Sequence, residues 1–167
     1  MPDGAIRQFL SNDHARLDSL LVRAGSCASI EELAAYDQFR RGLLRHISME
    51  EKVLLPWAER ARGMAHPAAA RLRLDHGALA ALMMPSPHPR IVRAIRVILA
   101  RHNPIEESPG GVYQSCEELA GDSAAELLSA IRATPEVPVK PHLDSARVYD
   151  AVRHALARAG YAENLAD

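Results

Sequence analysis

His46-Ile47-Ser48-Met49-Glu50-Glu51 and His102-Asn103-Pro104-Ile105-Glu106-Glu107 share one pattern: an imidazole, three residues, then two carboxylates. Residues four apart lie on one face of a helix. His46 with Glu50, and His102 with Glu106, can therefore each aim two donor groups at one point. Two more histidines, His14 and His76, each follow an aspartate and precede leucines three and six positions on. Together they make four imidazoles and two carboxylates. Imidazole suits iron, zinc or copper, and carboxylates that can bridge suit a pair of hard ions. Two bridging carboxylates capped by histidines is a di-iron pattern. A lone buried histidine is more often a hydrogen-bonded core residue than a ligand. Six residues at matching spacing in two copies favour the metal.

The elements that must carry these residues repeat as well. "DHARLDSLL" at 13–21 matches "DHGALAALM" at 75–83. His46 follows His14 by 32 residues and His102 follows His76 by 26, and an aromatic, Trp57 or Tyr113, stands 11 residues beyond each later histidine. Helical apolar stripes cover about 4–24, 30–62, 67–84 and from near 90 to "SPGG" at 108–111. Ser29 and Glu32 form a capping-box pattern before the second of them. Pro56 predicts a kink or an early end in that helix, and Pro104 a kink in the fourth. Short helices follow at about 112–120 and 122–132. An extended connector, "TPEVPVKPH" at 134–142, then leads to a last amphipathic helix at about 144–160, with Gly160 placed as its C′ glycine. Four helices with short loops imply an all-α, antiparallel up-down four-helix bundle. Residues 1–120 form the bundle; residues 121–167 form a helical extension too short for a core of its own, packed on it.

Composition agrees with helix. Hydrophobic residues make up 48% of the 167 and aromatics only 4%, so strand formers are scarce. A net charge of −1 gives no electrostatic case for nucleic acid or an anionic membrane. No stretch is apolar enough to span a bilayer, and "MPDGAIRQFL" lacks a basic segment followed by an apolar run, so neither a transmembrane helix nor a signal peptide is expected. A cytoplasmic location follows, with Cys27 and Cys116 reduced, as small core residues.

The order His, His-x3-Glu, His, His-x3-Glu resembles the hemerythrin-like, or HHE cation-binding, family over about residues 5–120, with "HISMEEKVLLPWAE" the most specific piece. The resemblance implies an up-down bundle around a non-haem di-iron centre with ligands His14, His46, Glu50, His76, His102 and Glu106. It implies two iron ions bridged by oxo or hydroxo, with zinc or a single ion as the alternative loading. The partner would be dioxygen, nitric oxide or peroxide. Two departures argue against dedicated oxygen transport. Oxygen carriers have an extra histidine one turn before the third-helix histidine, where this chain has Leu72; and their fourth helix uses His-x4-Asp, whose spacing here falls on Glu107 rather than Glu106. Glu106 is favoured because it repeats Glu50. With no acid/base set, substrate motif or cofactor loop, the reading leans away from an enzyme. It favours a protein that binds or senses a diatomic ligand or redox state. An iron-handling or peroxide-consuming protein, and a metal-poor bundle used for protein interaction, are the alternatives.

The neighbouring residues have plainer readings. Glu51 and Glu107 are expected behind the ligands or in solvent. Asp13 and Asp75 fit helix capping or surface charge as well as tuning of a ligand. Trp57 and Tyr113 are read as core plugs, Tyr113 with a lesser claim as a substitute ligand. His66, His88, His142 and His154 are read as surface or capping residues.

Overall fold

In a computed structural model of the chain, which describes residues 4–167, every regular element is helical, and no strand occurs among those residues. Residues 1–3, the start of the N-terminal stretch read above, lie outside them. The order is α1 (Ala5–Ala24), α2 (Ile30–Met49), a π-helical turn (Glu50–Leu54), α3 (Leu55–Arg62), α4 (Ala69–Leu82), α5 (Pro89–Glu107), α6 (Val112–Ala120), a 3-10 turn (Gly121–Ser123), α7 (Ala124–Arg132) and α8 (Ala146–Arg158).

Local chemistry sets the ends. The Glu32 amide donates to Ser29 Oγ at 3.1 Å and the Ser29 amide donates to Glu32 Oε2 at 3.2 Å, a complete capping box that starts α2. The start of α1 is capped from far along the chain: the Ile6 and Arg7 amides donate to Glu117 Oε2 at 2.7 and 3.1 Å. This bond pins α6 against α1.

Pro56 neither ends the second rod nor leaves it a plain α-helix. Proline lacks an N–H, and in an α-helix its ring crowds the carbonyl four residues back. The chain widens instead into the π turn just before it, where the Leu55 amide reaches the Glu50 carbonyl, and then continues to Arg62. Pro104 also stays within its helix. The carbonyl it cannot bond belongs to Ala100, which is exposed and so within reach of water, and α5 remains helical to Glu107.

The core lies in two apolar layers. Leu17, Leu21, Leu43, Leu79 and Ile98 belong to one; Leu10, Met49, Leu72, Val112 and Tyr113 belong to the other. Each histidine-bearing helix passes between them. His14 falls between Leu10 and Leu17, His46 between Leu43 and Met49, His76 between Leu72 and Leu79, and His102 between Ile98 and Val112. Burial of each leucine or isoleucine contributes roughly 1.5–3 kcal/mol, and the same packing fixes the height at which all four histidines meet. From one histidine helix to the next, the direction of crossing reverses.

The later segments belong to these layers. Leu127, Leu128 and Ile131 of α7 join the second, and Val152 and Leu156 of α8 join the first. Arg45 on α2 donates to the Arg132 and Thr134 carbonyls at the end of α7, both at 2.9 Å, and Arg71 on α4 donates to the Ala159 carbonyl at the end of α8 at 2.6 Å. Cys116 is buried in the second layer, and Cys27, in the turn after α1, is half-buried and packs against the first. Among the described residues no helix is long and apolar enough to cross a membrane.

Candidate metal centre

Between the two layers lies a polar cluster. His14, His46, Glu50, His76, His102 and Glu106 are all buried, none more than 6% exposed. One group of donor atoms, from Glu50, His76, His102 and Glu106, lies within 4.8 Å of one another; a second group comes from His14, His46 and Glu50. Glu50 serves both. Its Oε1 is 3.1 Å from His46 Nε2, and its Oε2 is 3.1 Å from His76 Nε2. Glu106 also spans the two sides, with Oε2 3.3 Å from His102 Nε2 and 3.5 Å from His14 Nε2. Glu106, not Glu107, faces inward.

The outward nitrogen of every one of these histidines meets a carboxylate. His46 Nδ1 is 2.8 Å from Asp13, His102 Nδ1 is 3.4 Å from Asp75, His76 Nδ1 is 2.7 Å from Glu51, and His14 Nδ1 is 2.5 Å from Glu107. Asp13 and Asp75, which helix capping or surface charge could explain from the sequence, thus orient histidines. The pattern follows the duplication: each aspartate serves the histidine of the next helix in its own repeat, and each second glutamate crosses to the histidine of the other repeat. A carboxylate behind a histidine fixes the Nδ1–H tautomer and leaves the Nε2 lone pair for a metal.

The donor set fits a cation. His76 Nε2 and His102 Nε2 stand 3.2 Å apart. With both Nδ1 atoms committed to carboxylates, two lone pairs face each other unless a proton or a metal ion lies between. Glu106 Oε1 has no hydrogen-bond partner among the described residues, and Glu50 Oε2 makes no aligned hydrogen bond despite its short approach to His76. Burial alone would lower His46, but the Glu50 charge and the Asp13 and Glu50 contacts hold it up to about 10. Against the same burial, Glu50 and Glu51 hold His76 up to about 9, and Asp75 and Glu106 hold His102 up to about 10. Burial also pushes Glu106 up, and the charge of Glu50 adds to it. Glu50 goes the other way: burial would raise it, but the His46 charge keeps it well below the usual carboxylate range.

Tyr113 is buried in the second layer, as expected of a core plug, but its hydroxyl enters the cluster. Its oxygen is 3.2 Å from His46 Nε2, 3.3 Å from His14 Nε2 and 3.2 Å from Glu106 Oε2, and it donates a short hydrogen bond to Glu50 Oε1. Its counterpart by spacing, Trp57, is half-buried beside Lys52 and Arg60 in a surface cleft. Leu72 is fully buried in the second apolar layer. A cavity of about 430 Å³ lined by His14, Leu17, Leu43, Leu99 and Asn103 opens beside the cluster, with Arg96 at its exposed rim. His66 Nδ1 accepts from the Ala68 amide ahead of α4, His88 stands at the N-cap of α5 without bonding through its side chain, and His154 is exposed. His142 is half-buried against Tyr36, their ring centroids 6.2 Å apart.

Models of known families, curated proteins and solved structures were all compared with this chain, and none matches. The site is therefore read from its own geometry.

Proposed function

We propose that the chain is a hemerythrin-like, up-down four-helix bundle of the cytoplasm that holds two iron ions. It binds or senses dioxygen, nitric oxide or redox state. The observation that carries this reading is the 3.2 Å approach of His76 Nε2 to His102 Nε2, with both outward nitrogens already held by carboxylates. The alternating passage of α1, α2, α4 and α5 between two apolar layers supports the bundle. The placement of Glu50 and Glu106 between the two groups of histidines supports a pair of ions over one.

The proposed ligands are His14, His46, Glu50, His76, His102 and Glu106. When bound, iron supplies reversible affinity for diatomic molecules and one-electron redox chemistry. Asp13, Asp75, Glu51 and Glu107 hold the imidazoles in the ligating tautomer. The apolar layers keep bulk water from the cluster on both sides. Metal analysis of the purified chain after expression with added iron tests the proposal: close to two irons per chain, with a ferric visible spectrum, is expected. A colourless, iron-free chain would overturn it.

The cavity beside His14 favours a second reading, in which the same centre consumes peroxide or handles iron, because it brings a small molecule to a ligand. Steady peroxide consumption by the iron-loaded chain, lost in His76→Ala, would select it.

A further inference from the structure

The two sides of the cluster are unequal. Four residues, Glu50, His76, His102 and Glu106, converge on one side; on the other, among the described residues, only His14, His46 and Glu50 lie within 4.8 Å of one another, and Glu106 reaches His14 alone, Oε2 to Nε2 at 3.5 Å. Tyr113 Oη stands at the poorer side, 3.3 Å from His14 Nε2, 3.2 Å from His46 Nε2, and in short contact with Glu50 Oε1. Donors bound to one first-row ion at about 2.0–2.2 Å lie roughly 2.8–3.6 Å apart at octahedral or tetrahedral angles. The two histidine separations fall in that range. A tyrosine with only a packing role needs one hydrogen-bond partner, and a phenol has one hydrogen to donate. Tyr113 meets two imidazoles and two carboxylates.

We infer that Tyr113 is a metal ligand, a further donor on the side of His14 and His46, bound through its oxygen as a phenolate. This rests on the metal reading above. The bond formed joins Tyr113 Oη to the ion, the phenolic proton leaves to solvent, and no oxidant or reductant is consumed. The duplication gives the other side no equivalent. Trp57 holds the matching position but has no oxygen and lies in a surface cleft. The two ions therefore sit in different fields, and a ferric ion on the Tyr113 side is marked by a phenolate-to-iron charge-transfer band.

The test uses the full chain loaded with iron and oxidised in air, with metal content measured in parallel. Wild type is expected to show a visible charge-transfer band and tyrosinate ring modes on resonance Raman excitation into it. Tyr113→Phe is expected to lose both while keeping most of its iron. Wild-type protein that binds iron without tyrosinate modes overturns the inference and leaves the metal reading standing, and this result needs no variant to fold. Tyr113→Phe that keeps the same modes overturns it too. A wild-type chain that takes up no iron overturns both readings, and metal content tells that outcome from the others.

Discussion

Asp75 fits helix capping, surface charge or the tuning of a ligand in the sequence and is a buried hub in the structure, so its removal separates these readings. Its carboxylate is fully buried and accepts a short bond from Arg71, a 2.9 Å bond from the Tyr161 hydroxyl and a 3.4 Å contact from His102 Nδ1. Asp75→Ala strands two donors, the Tyr161 hydroxyl and the His102 Nδ1–H, whose residues are 7% and 2% exposed. A buried donor left unmade costs about 1–3 kcal/mol. The His102 contact is long, which places it at the low end. Arg71 adds little: its side chain is 39% exposed, so water takes up the freed group. The sum is about 2–4 kcal/mol of lost stability in the metal-free chain. Metal should suffer separately, because His102 loses the group that fixes its tautomer, and affinity should fall about 10- to 100-fold. Urea unfolding of the metal-free protein reads the first quantity, and competition with a coloured chelator reads the second. Stability within about 0.5 kcal/mol of wild type, together with unchanged affinity, would refute the reasoning and return Asp75 to the surface-charge reading.

Two other perturbations probe the supports of the site. A Cβ on Gly111 would stand 2.6 Å from the Glu106 carbonyl and 2.8 Å from those of Ile105 and Ser108, all backbone. Gly111→Ala should therefore shift the end of α5, cost about 1–3 kcal/mol in urea unfolding, and lower retained iron; wild-type stability and iron content would show that the α5 end is not constrained. Asp144 ties the connector to the turn after α4, accepting from Ser86 Oγ at 2.5 Å and the Ser86 amide at 2.9 Å, and these bonds hold its carboxyl below the usual range. Its contribution is present above the unfolded carboxylate pKa and lost as pH falls through the lower folded value. Asp144→Asn should flatten the acid side of the stability profile and leave metal content unchanged, as urea midpoints across pH would record.

The i, i+4 pairs and the duplicated Asp-His stretches made the inward face of the cluster legible, because both depend only on spacing along a helix. The Ser29 capping box was legible for the same reason. Which histidine each outer carboxylate would meet was not. Glu51 meets His76 across the two repeats, and no local pattern encodes how far apart two helices sit or how they are rotated. Pro56 announced a disturbance, but the choice between a break and a π turn depended on whether the rod had packing to continue, and Leu55 and Ala58 supply it in the second layer. That residues 121–167 would pack on the rest was expected from their length, too short for a core of their own. Which helices would receive them became clear from Arg45 and Arg71, whose bonds run to carbonyls 87 to 89 residues away.

The interruption at "SPGG" is what delivers Tyr113. A helix continuing from Glu106 would carry residue 113 roughly 10 Å farther along its axis, at about 1.5 Å per residue, and away from the cluster. The first repeat behaves in that way: its rod runs on past Glu50, and Trp57 ends in a surface cleft. In the second repeat α5 stops at Glu107, whose carbonyl accepts from Arg7 Nη2 at 2.9 Å. The chain turns through Gly110 at φ +78°, a conformation that disfavours residues with a Cβ, and α6 folds back against α1 and α5. Restoring the repeat, by replacing the turn with helix-forming residues, would therefore lengthen α5 and remove the phenol from the site. The two halves of the cluster differ because their helices end differently, while the ligand spacing in both is the same.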